Sequence, residues 1–134
     1  MKFILFIMLA LAPAAIVNAA DPEWYYIATD VDDTEVSARY SDLLKGRSDQ
    51  TTARVWVKSD HSKDKTTDAR ETKTFYEVNC PARTFKALSR STLYPGNTSP
   101  DVDEYPFGYS AKNIVPETVM ESVADALCLD PSND

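Results

Sequence analysis

The chain has 134 residues, of which 21 are acidic and 14 basic, and its formal net charge is −7 at pH 7. This acidity argues against nucleic acid and anionic membrane surfaces as partners, because both are bound through basic patches that displace counterions. The length fits one compact domain, and the two cysteines allow at most one intramolecular disulfide.

The first twenty residues have the three parts of a secretory signal peptide. Lys2 supplies the positive charge, an apolar run follows from Phe3, and small residues end the segment at Ala19 and Ala20. A membrane anchor is the alternative, but Pro13 interrupts a run that is already short for a span of about 20 residues. We therefore expect export to the periplasm, the cell surface or the medium without an anchor. Cleavage after Ala19 or Ala20 leaves one domain, residues 21–134.

The first half of that domain predicts three β-strands, because aromatic and β-branched residues lie between turn residues. In the third predicted strand Val55 and Val57 share one face while Trp56 points to the other. Residues 42–46 predict a single helical turn or a tight loop, closed by glycine. The three strands are expected at residues 23–29, 34–40 and 51–59.

The second half predicts a hairpin after a polar connection. Residues 60–70 are nearly all polar, so we expect a solvated link. Residues 74–80 then alternate as a strand that ends at Pro81, and the next strand begins at Thr84 and continues towards Tyr94. Breakers predict a loop over residues 95–106, and a short extended piece follows around Phe107 to Ile114.

A C-terminal helix is expected from residue 118 to Cys128. Thr118 and Glu121 have the spacing of a capping box, in which each side chain accepts a hydrogen bond from the other's backbone. The apolar rows of this helix carry Cys128 inward, and Cys80 ends the preceding hairpin strand, so we expect a Cys80–Cys128 disulfide in the exported protein. The fold class is therefore α+β: a small antiparallel sheet of about five to six strands with a C-terminal helix linked to it.

The order of these features resembles the surface-adhesin protein E-like family. The resemblance covers nearly the whole mature chain and implies a strongly bent antiparallel sheet with the helix fastened by the two cysteines. It also implies export and, in the family's best-known member, attachment to host extracellular-matrix proteins. The family often has Pro-Gly-Ser at the helix start, where this chain has Pro116-Glu117-Thr118. The family's ligand contacts are not tied to a motif in this chain, so no binding residue can be carried over. The matching segments are Val55-Trp56-Val57, Tyr76-Glu77-Val78-Asn79-Cys80 with Arg83 and Phe85, Ile114-Val115-Pro116, and Cys128.

The residue types argue against catalysis and against a bound cofactor. The single histidine, His61, lies in the polar link, where a solvated surface residue is expected, and both cysteines are assigned to the disulfide. Asp30, Asp32 and Thr34 match the first ligands of a calcium loop, but Glu35 replaces its glycine, which favours a hairpin turn over a weak calcium site. We therefore predict no catalytic residue, no metal and no cofactor.

The chain has more aromatic residues than one side of a small sheet can bury. Most are expected in the core, and a few exposed on one face would make a recognition patch whose residues the sequence does not identify. The predicted function is an exported binding module for a protein ligand; the alternative is a small envelope enzyme or inhibitor, which needs a cleft. The aromatic residues counted in this surplus are Trp24, Tyr25, Tyr26, Trp56, Phe75, Tyr76, Phe85, Tyr94, Tyr105, Phe107 and Tyr109.

Overall fold

The computed structural model describes residues 23–46, 52–105 and 110–128. The predicted signal peptide lies outside these residues and stays a prediction. In the described part of the chain, no helix is long and apolar enough to cross a membrane. The elements in chain order are β1 Trp24–Thr29, β2 Glu35–Arg39, α1 Tyr40–Gly46, β3 Thr52–Asp60, β4 Glu71–Asn79, β5 Thr84–Leu93, β6 Asp101–Glu104, β7 Lys112–Asn113 and α2 Val119–Leu127.

The strands form one antiparallel sheet in the order β1-β2-β3-β4-β5-β6, and β7 pairs with β5. The predicted fold class is therefore confirmed. The prediction of a loop over residues 95–106 is wrong in part, because Asp101–Glu104 pairs with Ser89–Thr92 of β5 as a strand. The sequence did not indicate this strand because three of its four residues are acidic, and acidic residues are depleted in strands. They are tolerated here because the strand lies at a solvent-exposed edge.

One face of the sheet, called here the inner face, carries the core. Val36 and Ala38 of β2, Val55 and Val57 of β3, and Val78 of β4 are all buried on this face. The face follows from the period of two along each strand, which confirms the prediction that Val55 and Val57 point together and Trp56 points away. The opposite side is called the outer face.

Helix α1 lies beside the part of β3 that has no neighbouring strand on one edge. Strand β2 pairs with β3 only from Asp60 to Val57, so the earlier part of β3 has no strand on that edge. Helix α1 follows β2 directly, buries Leu43 in the core and brings the carboxylate of Asp42 to this edge. Asp42 Oδ2 accepts a hydrogen bond of 2.9 Å from the backbone N–H of Trp56. A side chain thus satisfies a backbone donor that would otherwise be orphaned.

Helix α2 packs against the inner face through Val123, Ala124 and Leu127, all at most 1% exposed. Thr118 is its N-cap and accepts from the Glu121 N–H, as predicted, but the Glu121 carboxylate accepts from the N–H of Glu117 instead of Thr118. The capping box is therefore displaced by one residue on one side. It still gives two backbone donors at the helix start a partner.

The predicted disulfide is present between Cys80 and Cys128, whose Cα atoms are 5.6 Å apart. It joins the turn after β4 to the C-cap of α2. A second contact holds the same turn, because Arg83 Nη2 donates to Asp125 Oδ1 of α2 at 3.0 Å. The end of the helix is thus fastened to the sheet both covalently and by an exposed ion pair.

Candidate binding surface

The outer face is built from cross-strand rows, because residues that stand opposite each other in an antiparallel pair share a face. Trp56 of β3 stands opposite Phe75 of β4. Their rings stack with centroids 4.8 Å apart and an angle of 19° between the planes. Both side chains are only partly buried, so this pair forms an aromatic row in the middle of the outer face.

The next row holds two lysines. Lys58 stands opposite Lys73, a like-charge pairing that ordinarily destabilises a sheet. The ring of Trp24, which comes from β1, lies 4.9 Å from Lys58 Nζ and 5.8 Å from Lys73 Nζ. Lys73 Nζ also lies 3.5 Å from Glu71 Oε1. Attraction of the ammonium groups to the ring face offsets part of their repulsion.

On the other side of the aromatic row, Glu77 lies between two cations. Its carboxylate accepts from Arg54 Nε at 3.1 Å and lies 3.4 Å from Lys86 Nζ. A cavity of about 340 Å³ opens at this end, where Arg54, Phe75 and Glu77 meet residues of α1. The outer face therefore combines aromatic rings with paired charges and a shallow recess.

Both helices direct their buried residues to the inner face. Leu43 of α1 and Val123 and Leu127 of α2 belong to the core cluster with the inner-face valines. Within the described residues, neither helix covers the row of Trp56 and Phe75. In the part of the chain that the structure describes, the sheet thus has one face packed against both helices and one face that α1 borders only at the recess.

The aromatic residues lie elsewhere than the sequence suggested. The prediction that most of them are core is wrong, because the buried hydrophobic residues of the described chain are all aliphatic. The physical reason is the close approach of α2 to strands rich in alanine and valine, which leaves little room for rings. Tyr76 and Phe85 flank the core and contact each other edge to face, with centroids 5.8 Å apart. Phe107 and Tyr109 lie outside the described residues.

Two adjacent tyrosines of β1 are exposed on opposite faces. Tyr26 stands opposite Ser37 on the outer face and is 57% exposed. Tyr25 stands opposite Ala38 on the inner face and is 50% exposed. The hydroxyl of Tyr26 hydrogen-bonds Thr29 Oγ1 at 2.8 Å. Tyr26 therefore extends the aromatic surface towards the edge of the sheet.

His61 lies in a polar network, so the expectation of a solvated surface histidine is wrong. The Thr34 hydroxyl donates to Asp64 Oδ2 at 2.9 Å, and its oxygen lies 3.2 Å from His61 Nδ1. His61 Nε2 lies 3.0 Å from the Thr72 hydroxyl. Because the only proton of Thr34 goes to Asp64, Nδ1 of His61 is the donor to Thr34 and a neutral ring accepts from Thr72 at Nε2. Both ring nitrogens hold the loop after β3 against the sheet.

The acids at this end of the sheet serve as turn acceptors. Hydrogen bonds from the hydroxyl and then the N–H of Thr66 lower the pKa of Asp64. The N–H of Ser62, followed by its hydroxyl, lowers the pKa of Asp60. Asp30 Oδ1 accepts from the N–H groups of Asp32 and Thr34, which is the geometry of a hairpin turn. In the described part of the chain, no group of His, Cys, Asp and Glu side chains is placed to hold a metal ion.

These features define a small disulfide-linked α+β module with one open sheet face. The sequence model of the surface-adhesin protein E family matches residues 24–129, and the chain therefore belongs to that family. Among solved structures, crystal form II of Haemophilus influenzae protein E is similar, with a TM-score of 0.58 at 10% identity over 90% of this chain and 95% of that chain. At this identity the likeness shows the fold. No curated protein matches the chain.

Proposed function

We propose that this protein is an exported, non-enzymatic binding module that attaches to a protein ligand through the outer face of its sheet. One observation carries the proposal: the row of Trp56 and Phe75, flanked by Lys58 and Lys73, lies on a face that neither helix covers. Tryptophan is one of the residue types enriched at the hot spots of protein interfaces, and the two lysines offer ammonium groups to carboxylates of a ligand. The chemistry of the face fits a ligand segment that offers carboxylates beside apolar side chains.

The setting of the module follows from the sequence and the family. Residues 1–20 act as a signal peptide, and residues 21–134 form the single exported domain, at the cell surface, in the periplasm or in the medium. Membership of a surface-adhesin family supports attachment, and an extracellular-matrix protein of a host is the ligand class that the family resemblance favours.

The described side chains favour binding over catalysis. Both ring nitrogens of His61 lie within hydrogen-bond distance of threonine hydroxyls, and one of these threonines, Thr34, is buried and donates its proton to Asp64. Cys80 and Cys128 are bonded to each other and are not available as thiolates. The single histidine and both cysteines of the chain are thus engaged in contacts that hold the fold together.

The proposal is tested by capture of the purified protein on a panel of immobilised extracellular-matrix proteins. We expect a saturable signal with at least one of them, and at least about a fivefold loss of affinity in the Lys58→Gln/Lys73→Gln variant. Lys63→Gln/Lys65→Gln makes the same change of charge in the exposed loop after β3 and serves as the control. Equal losses in both double variants would contradict the assignment of the outer face, and absence of capture on the whole panel would contradict the ligand class.

A further inference from the structure

A second concave site lies on the inner face, beyond the area that α2 covers. It is a cavity of about 230 Å³ between the β4–β5 hairpin and residues 110–112, which reach the start of β7. Ala87 of β5 stands opposite Tyr76 of β4, and Phe85 of β5 stands opposite Lys112 of β7. The lining residues that determine which ligand it suits are Tyr76, Phe85, Ala87, Arg90, Ser110 and Lys112.

One part of this cavity is apolar and is formed by Tyr76, Phe85 and Ala87. Tyr76 and Phe85 contact each other edge to face at 71°, which fixes both rings at one side. Ala87 is 8% exposed but lies outside the main core cluster, so its small side chain is covered by the surroundings of the cavity and not by α2. A small residue between two rings leaves the recess open.

Two of the three cations at the cavity have no carboxylate partner among the described residues. Arg90 uses Nε to donate to Thr74 Oγ1 at 3.3 Å, and within the described residues neither Arg90 nor Lys112 forms an ion pair. Asp103 stands opposite Arg90 on β6, yet no ion pair joins them. By contrast, Lys86, which also borders the cavity, is paired with Glu77. Two unpaired cations converge here on a chain whose net charge is −7.

We propose that this cavity is a binding site for a carboxylate carried on a small apolar body. The guanidinium of Arg90 keeps its terminal N–H groups free for a two-point contact with a carboxylate, and Lys112 adds a second positive charge. The rings of Tyr76 and Phe85 contact the apolar part of the ligand. The volume lies below the roughly 300–1,000 Å³ of sites for drug-sized ligands, so it suits a small organic acid or one acidic side chain of a polypeptide. The site is independent of the outer face proposed for attachment.

The test is a titration of ¹⁵N-labelled protein followed by amide chemical shifts. One arm uses sodium benzoate, with neutral benzamide as its control. The other arm uses a blocked Gly-Glu-Gly peptide, with Gly-Gln-Gly as its control. We expect saturable shifts centred on Ala87, Arg90, Ser110 and Lys112 with at least one acid, and none with the neutral partner of that acid. Binding of benzoate alone indicates a small acid as the source of the carboxylate, and binding of the peptide indicates a polypeptide.

Variants locate the binding. Arg90→Gln/Lys112→Gln is expected to lower the affinity for the acid at least about tenfold, because a charge-assisted hydrogen bond is lost at the site. Lys63→Gln/Lys65→Gln removes the same charge from a distant loop and is expected to bind as the parent does. Both substituted side chains are exposed, and Lys112→Gln alone provides a milder variant if the double one fails to fold. Binding that survives the double variant, equal shifts from the neutral analogues, or no shifts from either acid would overturn the proposal.

Discussion

Removal of the disulfide is expected to cost the fold about 4 kcal/mol. Cys80 and Cys128 are 48 residues apart, and a loop of that length loses about 4 kcal/mol of chain entropy in the unfolded state when it is closed. A second contact between the same turn and α2 is the exposed Arg83–Asp125 pair, which contributes no more than about 1 kcal/mol. The bond is therefore expected to be the main constraint on the end of α2, where Leu127 is fully buried.

The measurement is urea unfolding of the parent protein, Cys80→Ser/Cys128→Ser and Arg83→Gln, with free energies extrapolated to water. We expect a loss of about 2 to 5 kcal/mol for the double cysteine variant and less than about 1 kcal/mol for Arg83→Gln. A loss below about 1 kcal/mol in the cysteine variant would refute the reasoning, because α2 would then be held by its apolar contacts alone. Thiol titration of the unfolded parent checks that the bond was formed at the start.

Three further predictions concern the edge of β3, acid stability and export. Asp42→Ala is expected to lose about 1 to 3 kcal/mol in urea unfolding, because the partly buried N–H of Trp56 loses its acceptor, and a variant as stable as the parent would contradict this. The pKa values of Asp60 and Asp64 are lowered in the folded state. Their contribution to stability is therefore complete above the unfolded pKa of about 4 and is lost as the pH falls through the folded pKa values. The free energy of unfolding should fall more steeply with acid in the parent than in Asp64→Asn. The intact mass of the exported protein should correspond to a chain that begins at Ala20 or Asp21, and a product that retains residues 1–19 would contradict the signal peptide.

The periodic spacing of apolar residues in the sequence was enough to predict the strand β3 and the helix α2. The alternation around Val55, Trp56 and Val57 identified both the strand and its two faces, and the apolar rows of the helix identified the inward position of Cys128. The strand Asp101–Glu104 was missed because its pairing with β5 overrides an acidic composition that disfavours strands. Tertiary pairing of this kind has no local signal.

The candidate sites were harder to predict because they depend on strand register. Lys58 and Lys73 are 15 positions apart in the sequence, and only the pairing of β3 with β4 places them opposite each other. The partners of His61 likewise come from β4 and from the turn before β2, which no spacing in the polar link indicates. The predicted strand over residues 74–80 contained Phe75 but not Lys73, and its sequence does not indicate which strand lies beside it.

The most direct test of the outer face as the attachment surface compares two adjacent tyrosines. Tyr26 and Tyr25 are similarly exposed on the same strand, and they point to the outer and inner faces respectively. Dissociation constants for the captured matrix protein should rise at least about fivefold in Tyr26→Ala and stay within about twofold in Tyr25→Ala, with equal thermal midpoints in both variants. Equal effects of the two substitutions, or a larger loss in Tyr25→Ala, would contradict attachment through the outer face.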